Sequence, residues 1–363
     1  MSVTVYVDGQ PAGRFVQYLD VLGQFGPIPD ESEYSFEIWT EQPRNPATPR
    51  SVWLNPPASA AQENWLRDEG AIINSRSVSG ELEESLLQGG AVIKVRSFVD
   101  VPIDPLVLAA FLTHDFHLVD ALMLARAYRG GGWPNDLVDY PIPVGGPASS
   151  AAFAPFPRNA GLYAVVPTSE WVQRLAAAGV PVVQLRHKRT DALQAVEIRK
   201  AIDAVDSSDT VLFINDDWQL AVQQGAYGVH LGQEDIETAD LAAIQRAGLR
   251  LGISTHSIYE MLRAHACKPS YLALGAIYAT ATKEMPTAPQ GLRRLRHYVR
   301  LMSPHYPLVA IGGIDLSRIS GIWATGVDCA AVLRAIVDAP DYRKATADLL
   351  ATTPQVICTS GVV

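Results

Sequence analysis

The sequence predicts an α/β protein, a C-terminal (β/α)8 TIM barrel preceded by a smaller α+β or α/β N-terminal domain. Three observations carry this. From Gly161 onward, eight short apolar, β-rich runs alternate with eight helix-like stretches over about 190 residues, the spacing of a compact barrel. Polar side chains gather repeatedly where these runs end, the face on which a barrel builds its functional loops. No G-x-G-x-x-G follows the first run, Leu162–Val166, which disfavours a doubly wound open sheet.

Composition sets the outer limits. The chain has 363 residues, enough for two domains, with 48% apolar and 18% charged residues, as in a globular protein with ample core. A net charge of −9 argues against general binding to nucleic acid or a membrane surface, yet leaves room for a local basic pocket. Cys267, Cys329 and Cys358 are odd in number and widely separated, so reduced thiols rather than a metal site are expected. The opening residues lack the basic-then-apolar layout of a signal peptide, and no apolar run approaches the ~20 residues that span a bilayer. The expected location is cytoplasmic.

In chain order, Val3–Val7 alternates and stops at Asp8-Gly9, which predicts a short strand entering a hairpin. Residues 26–57 are rich in Pro, Asn, Ser and acidic residues and read as loops with few regular elements. Ser79–Gln88 reads as a helix capped by Ser79, with Glu81–Glu84 near its positive end. After Gly89-Gly90, Ala91–Phe98 has the β-branched alternation of a strand. Asp104 caps an apolar helix over Pro105–Thr113, and a second spans about His117–Tyr128. Asp115, His117 and Asp120 lie close together there, and helix capping and surface polarity account for them. Trp133–Pro157, dense in Pro and Gly, reads as a linker between residues 1–150 and a barrel over residues 158–363.

The barrel strands are expected at Leu162–Val166, Val180–Leu185, Val211–Ile214, Tyr227–Leu231, Leu249–Ile253, Tyr271–Leu274, Leu308–Ile311 and Cys329–Leu333. The helices between them fall at Glu170–Ala178, Ala192–Val205, Trp218–Gln224 and Ile236–Ala247, then His256–Ala266, Gln290–Met302, Leu316–Ala324 and Ala339–Leu349.

Strand two ends in Val182–Lys188, V-V-Q-L-R-H-K. Gln184, Arg186 and Lys188 recur at period two and so share one side of an extended backbone. Arg offers a planar fork to phosphate oxygens, Lys a mobile charge and Gln a neutral donor. A solvated strand end is the plainer alternative for these three. Strand three ends in Asn215, Asp216 and Asp217, and strand four in His230–Asp235, which includes Gln233. Asp216 and Asp235 can share one Mg²⁺, an ion that takes one or two carboxylates with substrate phosphate and water. Helix capping is the alternative for both. Strand five ends in G-I-S-T-H, with Ser254. Thr280 and Thr282 flank Ala281 ahead of Lys283, in a stretch long enough to form a lid. Gly312-Gly313 after strand seven lets backbone N–H groups approach an anion closely.

The ordered set Q-L-R-H-K, F-I-N-D, G-V-H-L-G-Q-E-D, L-G-I-S-T-H, A-L-G-A-I-Y-A-T-A-T-K and V-A-I-G-G-I closely resembles thiamine phosphate synthases over roughly residues 160–340. The resemblance implies condensation of hydroxymethylpyrimidine diphosphate with thiazole phosphate, releasing diphosphate and using Mg²⁺. It assigns Gln184, Arg186, Lys188, Asn215, Ser254 and Lys283 to the pyrimidine diphosphate, and Asp216 and Asp235 to the metal. Thr280, Thr282 and the turn at Gly312 and Gly313 would contact the thiazole phosphate, with His230 and Gln233 also in the substrate site. Two departures stand out. His187 occupies a position where the family usually has Glu, and V-L-R-A-I puts Leu333-Arg334 where a Ser is common. Arg334 is therefore expected to replace a hydroxyl with a charged contact to phosphate, or else to face outward. A thiazole tautomerase-like barrel or a non-catalytic binder of thiamine precursors is the alternative function. The expected partners are small-molecule substrates, with no nucleic acid or membrane, and self-association stays open. Further upstream, Leu108–Tyr128 resembles the final helix pair of hydroxymethylpyrimidine phosphate kinases. Val99–Pro102 stands where that family has Gly-Thr-Gly-Cys.

Overall fold

In this computed structural model the described residues are 4–7, 10–11, 35–39, 51–54, 70–79, 81–98, 101–114, 116–129, 133–187, 193–280 and 288–354. They divide into two compact units, Met1–Gly146 and Pro147–Val363.

The first unit is built on an eight-stranded mixed sheet in the order β2-β1-β3-β4-β5-β6-β7-β8. Strand β1 (Thr4–Val7) pairs antiparallel with β2 (Gln10–Pro11), as the alternation before Asp8-Gly9 implied. It also runs parallel to β3 (Ser35–Trp39), followed by β4 (Ser51–Leu54) and β5 (Ala71–Val78). Two strands thus lie in a region expected to be loops. They are only five and four residues long, too short to show a period, yet Ile38, Trp39, Val52 and Trp53 are buried. The helices Pro105–Thr113 and Leu118–Ala127 form where expected, and the Asp104 carboxylate accepts from the Leu106 amide at 2.9 Å.

The helix expected at Ser79–Gln88 is a strand, β6 (Glu81–Gln88), paired antiparallel with β5 and with β7 (Ala91–Ser97). Leu82, Glu84 and Leu86 point inward at period two. A carboxylate on the inner face disguised that alternation. Glu84 is fully buried, and Arg126 grips it with a bidentate pair, Nε to Oε2 and Nη2 to Oε1, both 2.6 Å. Strand β8 (Ile142–Pro143) closes the edge beside β7.

The linker expected over Trp133–Pro157 is also corrected. Trp133 and Tyr140 are buried within the first unit, whereas Pro147–Pro157 belongs to the second. There the Ser149 and Phe153 amides donate to the carbonyls of Ala266 and Lys268, each at 3.0 Å. Phe156 packs against Tyr271 and Phe213, with ring centroids 4.9 and 5.6 Å apart. Phe156, in a Pro-rich stretch, thus joins the apolar core of the barrel.

The second unit is a closed, all-parallel barrel of β9 (Gly161–Val166), β10 (Val182–Leu185), β11 (Val211–Asn215), β12 (Gly228–Leu231), β13 (Arg250–Thr255), β14 (Tyr271–Leu274), β15 (Leu308–Ile311) and β16 (Cys329–Val332). Every strand lies within two residues of its expected position. The stretch expected as one helix over Ile236–Ala247 is two, Asp235–Thr238 and Leu241–Arg246, because the Asp240 carboxylate caps the second at the Ala243 amide. After β16 a four-residue helix, Arg334–Val337, precedes the final helix Tyr342–Ala351. The interior is aromatic, with Tyr163, Phe213 and Tyr271 packed together. Gly228 and Gly252 make room for them, since a Cβ at either would overlap the rings of Phe213 and Tyr271. Cys267 and Cys329 are buried free thiols, and Cys358 lies outside the described residues. Among the described residues no helix is long and apolar enough to cross a membrane.

Candidate active site

The strand ends of the barrel surround a cavity of about 620 Å³. Strand β10 supplies Gln184 and Arg186. The Arg186 amide still bonds the Val166 carbonyl at 2.8 Å, which extends the strand register and keeps the two side chains on one side. Asn215 ends β11 and Asp216 follows it, and His230 ends the inner row of β12. Asp235 comes from the turn beyond, and Ser254 from β13. Thr280, Gly312, Gly313, Leu333 and Arg334 complete the opposite wall. Gln233 supports the site from behind, donating to the Ser254 carbonyl at 2.8 Å. Lys188, Thr282 and Lys283 lie outside the described residues.

The two aspartates are the electrostatic centre. Asp217, not Asp216, caps the helix Trp218–Gln224, accepting from the Leu220 amide at 3.0 Å. Asp216 instead takes a left-handed backbone (φ 63°) that directs its carboxylate to the cavity. Asp235 Oδ2 accepts from the Gly232 amide at 3.0 Å, which fixes the turn that brings it to Asp216. Partial desolvation and the Asp235 charge push the Asp216 pKa up to about 6, against the pull of Arg186. Two carboxylates that resist joint ionisation, beside an Arg, suit a hard divalent cation shared with phosphate oxygens. Among the described residues no cluster of three or more His, Cys, Asp or Glu side chains is placed to hold a metal ion.

His230 is held neutral. Burial first, then Arg186 and His256, lower its pKa to about 3. Across the cavity the Gly312-Gly313 turn has φ values of 105° and 62°, open to glycine. A Cβ on Gly313 would sit 2.6 Å from the Ala279 carbonyl oxygen, so close packing also demands glycine there. Arg318 donates to the Gly313 carbonyl at 2.7 Å and lines the same wall. Arg334 opens the short helix after β16, and its exposed side chain faces the cavity mouth.

Sequence reasoning placed Glu234 and His256 within the strand-end clusters without a role for either, and missed Asp315 and Arg318 in the lining and Tyr163 and Tyr271 beneath it. The tyrosines sit inside apolar strand runs and read as core. Arg318 carries a weak signal, three residues after Asp315 in a helix start, where surface pairing is the ordinary reading.

A barrel with an arginine, a carboxylate pair and a glycine turn gathered at its strand ends has the makings of a site for phosphate-bearing molecules. Comparison with known proteins narrows the class. The family model for thiamine monophosphate synthase matches residues 162–336. The thiamine-phosphate synthase of Pectobacterium atrosepticum is 52% identical over 202 residues, covering 55% of this chain and 95% of that protein. That of Serratia proteamaculans is 54% identical over 199 residues, covering 54% and 93%. A solved thiamine phosphate pyrophosphorylase from Pyrococcus furiosus is 30% identical, with a TM-score of 0.48, over 54% of this chain and 96% of that one. The chain belongs to the thiamine-phosphate synthase family and is a transferase.

Proposed function

We propose that the barrel condenses hydroxymethylpyrimidine diphosphate with thiazole phosphate to give thiamine phosphate and diphosphate. The observation that carries this is the convergence of Arg186, Asn215 and Ser254 on the Asp216–Asp235 pair within one cavity. A diphosphate placed there meets donors on one side and a cation-holding pair on the other. Gln184, Arg186, Asn215 and Ser254 bind and orient this leaving group, aided by Lys188 and Lys283. Asp216 and Asp235 hold Mg²⁺, which when bound neutralises charge on the diphosphate oxygens.

The bond broken joins the pyrimidine methylene carbon to diphosphate oxygen, and its electron pair leaves with the diphosphate. Arg186 stabilises that developing charge in place, without reorganising at the moment of reaction. The methylene cation is captured by the thiazole nitrogen, so no protein nucleophile is required. Thr280, Thr282, Gly313 and Arg334 hold the thiazole phosphate so that its nitrogen faces the reacting carbon. Neutral His230 adds no positive charge beside the cation. This reading is of a cytoplasmic enzyme acting on small molecules.

The test is formation of thiamine phosphate from the two purified substrates, with Mg²⁺ and with chelator. Product that depends on Mg²⁺ supports the reading. Its absence under saturating substrates and Mg²⁺ would overturn it, and tight binding of the precursors without turnover would favour the non-catalytic alternative.

A further inference from the structure

Five side chains form one continuous hydrogen-bonded chain that leaves the cavity wall at Gln184, passes through two tyrosines beneath it and returns at His230 and Ser254. Gln184 Nε2 donates to the Tyr163 hydroxyl at 2.9 Å, which lies 2.8 Å from the Tyr271 hydroxyl. The Tyr271 hydroxyl is 2.7 Å from His230 Nδ1, and His230 Nε2 is 2.7 Å from Ser254 Oγ. Both tyrosines are at most 1% exposed, so their hydroxyls are closed off from bulk solvent and meet each other. The space is reserved for them, because any side chain at Gly252 would overlap the ring and hydroxyl of Tyr271.

Donor accounting gives this chain a direction. The Gln184 amide nitrogen can only donate, so the Tyr163 hydroxyl accepts from it and must pass its own hydrogen to Tyr271. Tyr271, having accepted, donates to His230 Nδ1. That nitrogen is then the bare acceptor, and the ring proton resides on Nε2 and points at Ser254. Ser254 Oγ accepts it, and among the described residues no acceptor takes its own hydrogen, which is left for the cavity it lines. The reverse direction fails at the far end, where Tyr163 would aim its hydrogen at an amide NH₂. A fully protonated imidazole fails in the same way.

We propose that Tyr163 and Tyr271 are positioning residues that lock His230 in the Nε2-protonated tautomer and so commit the Ser254 hydroxyl to donate into the cavity. With the opposite tautomer Ser254 would donate to His230 and turn only lone pairs toward an incoming anion. The consequence for catalysis rests on the reading that Ser254 meets the diphosphate. The tautomer itself does not, because it is set in the ligand-free protein.

The experiment is ¹⁵N NMR of ligand-free protein labelled at histidine, assigned with His230→Gln, together with kinetics of Tyr271→Phe, Ser254→Ala and the double variant. The expected parent spectrum shows His230 with a pyridine-like Nδ1 and a pyrrole-like Nε2. Tyr271→Phe should mix the tautomers and lower kcat/KM for the pyrimidine diphosphate about tenfold, the worth of one hydrogen bond. In the Ser254→Ala background the same change should cost nothing further. A parent His230 protonated on Nδ1 would overturn the proposal even if the protein is an active synthase. Losses from Tyr271→Phe and Ser254→Ala that simply multiply would overturn the link to Ser254. A protein with the expected tautomer and no synthase activity would sink the functional reading and leave the lock standing.

Discussion

Asp216→Asn removes one of two neighbouring carboxylates while keeping the shape of the side chain, and Asn tolerates the left-handed backbone there as well as Asp does. The Asp216 pKa stands at about 6 against an ordinary 3.8, and this fixes the sign. A raised carboxylate pKa means the folded protein favours the protonated form. Its contribution is fully present below pH ~4 and is lost as pH rises through about 6. Without a divalent cation the folded barrel therefore carries a penalty at neutral pH that the Asn variant escapes. A shift of about two pKa units corresponds to roughly 3 kcal/mol. Asp216 is exposed to the open cavity, so solvent screening cuts this to about 1 kcal/mol. Amide exchange of peptides covering residues 211–235, in chelator and from below pH ~4 up to pH ~8, isolates the local stability from that of the first unit. The variant should match the parent at the acid end and exceed it by about 1 kcal/mol at pH 8. Adding Mg²⁺ should protect the parent and leave the variant unchanged. Parallel pH profiles for the two proteins, or protection of the variant by Mg²⁺, would refute the reasoning.

Two further outcomes follow from single residues. Arg334→Ser exchanges a charged contact for the hydroxyl common in the family. It should raise KM for thiazole phosphate about tenfold with little change in KM for the diphosphate substrate, and an unchanged KM would place Arg334 outside the site. In the first unit, Arg126→Met strands the fully buried Glu84 carboxylate and should destabilise that unit by about 3–5 kcal/mol in denaturant unfolding, whereas a loss under 1 kcal/mol would mean the pair is not a structural requirement.

The barrel was legible because parallel strands buried on both faces leave short, dense apolar runs such as Val182–Leu185 and Tyr271–Leu274. The site was legible where polar side chains break those runs at one end, as Arg186, Asp216 and Asp235 do. Residues serving two purposes stayed hidden. Glu84 is a charge on the inner face of a strand, so Glu81–Gln88 passed for a helix with a charged face. Phe156 lies among prolines, so a residue of the barrel core passed for part of a linker. Tyr163 and Tyr271 look like core residues and are core residues, and their hydroxyls meet only once the barrel closes. Asp216 and Asp217 are adjacent and chemically alike. Which of them caps the helix depends on a backbone angle that no sequence pattern encodes.

The central claim is that the cavity at the strand ends handles a diphosphate leaving group, and Arg186 tests it most directly. Single-turnover kinetics of Arg186→Ala with both substrates and Mg²⁺ should show the bond-breaking step slowed by about a hundredfold or more, the scale seen when a preorganised charge-stabilising donor is lost. A near-normal rate would contradict the account and return Val182–Lys188 to the role of an ordinary strand end.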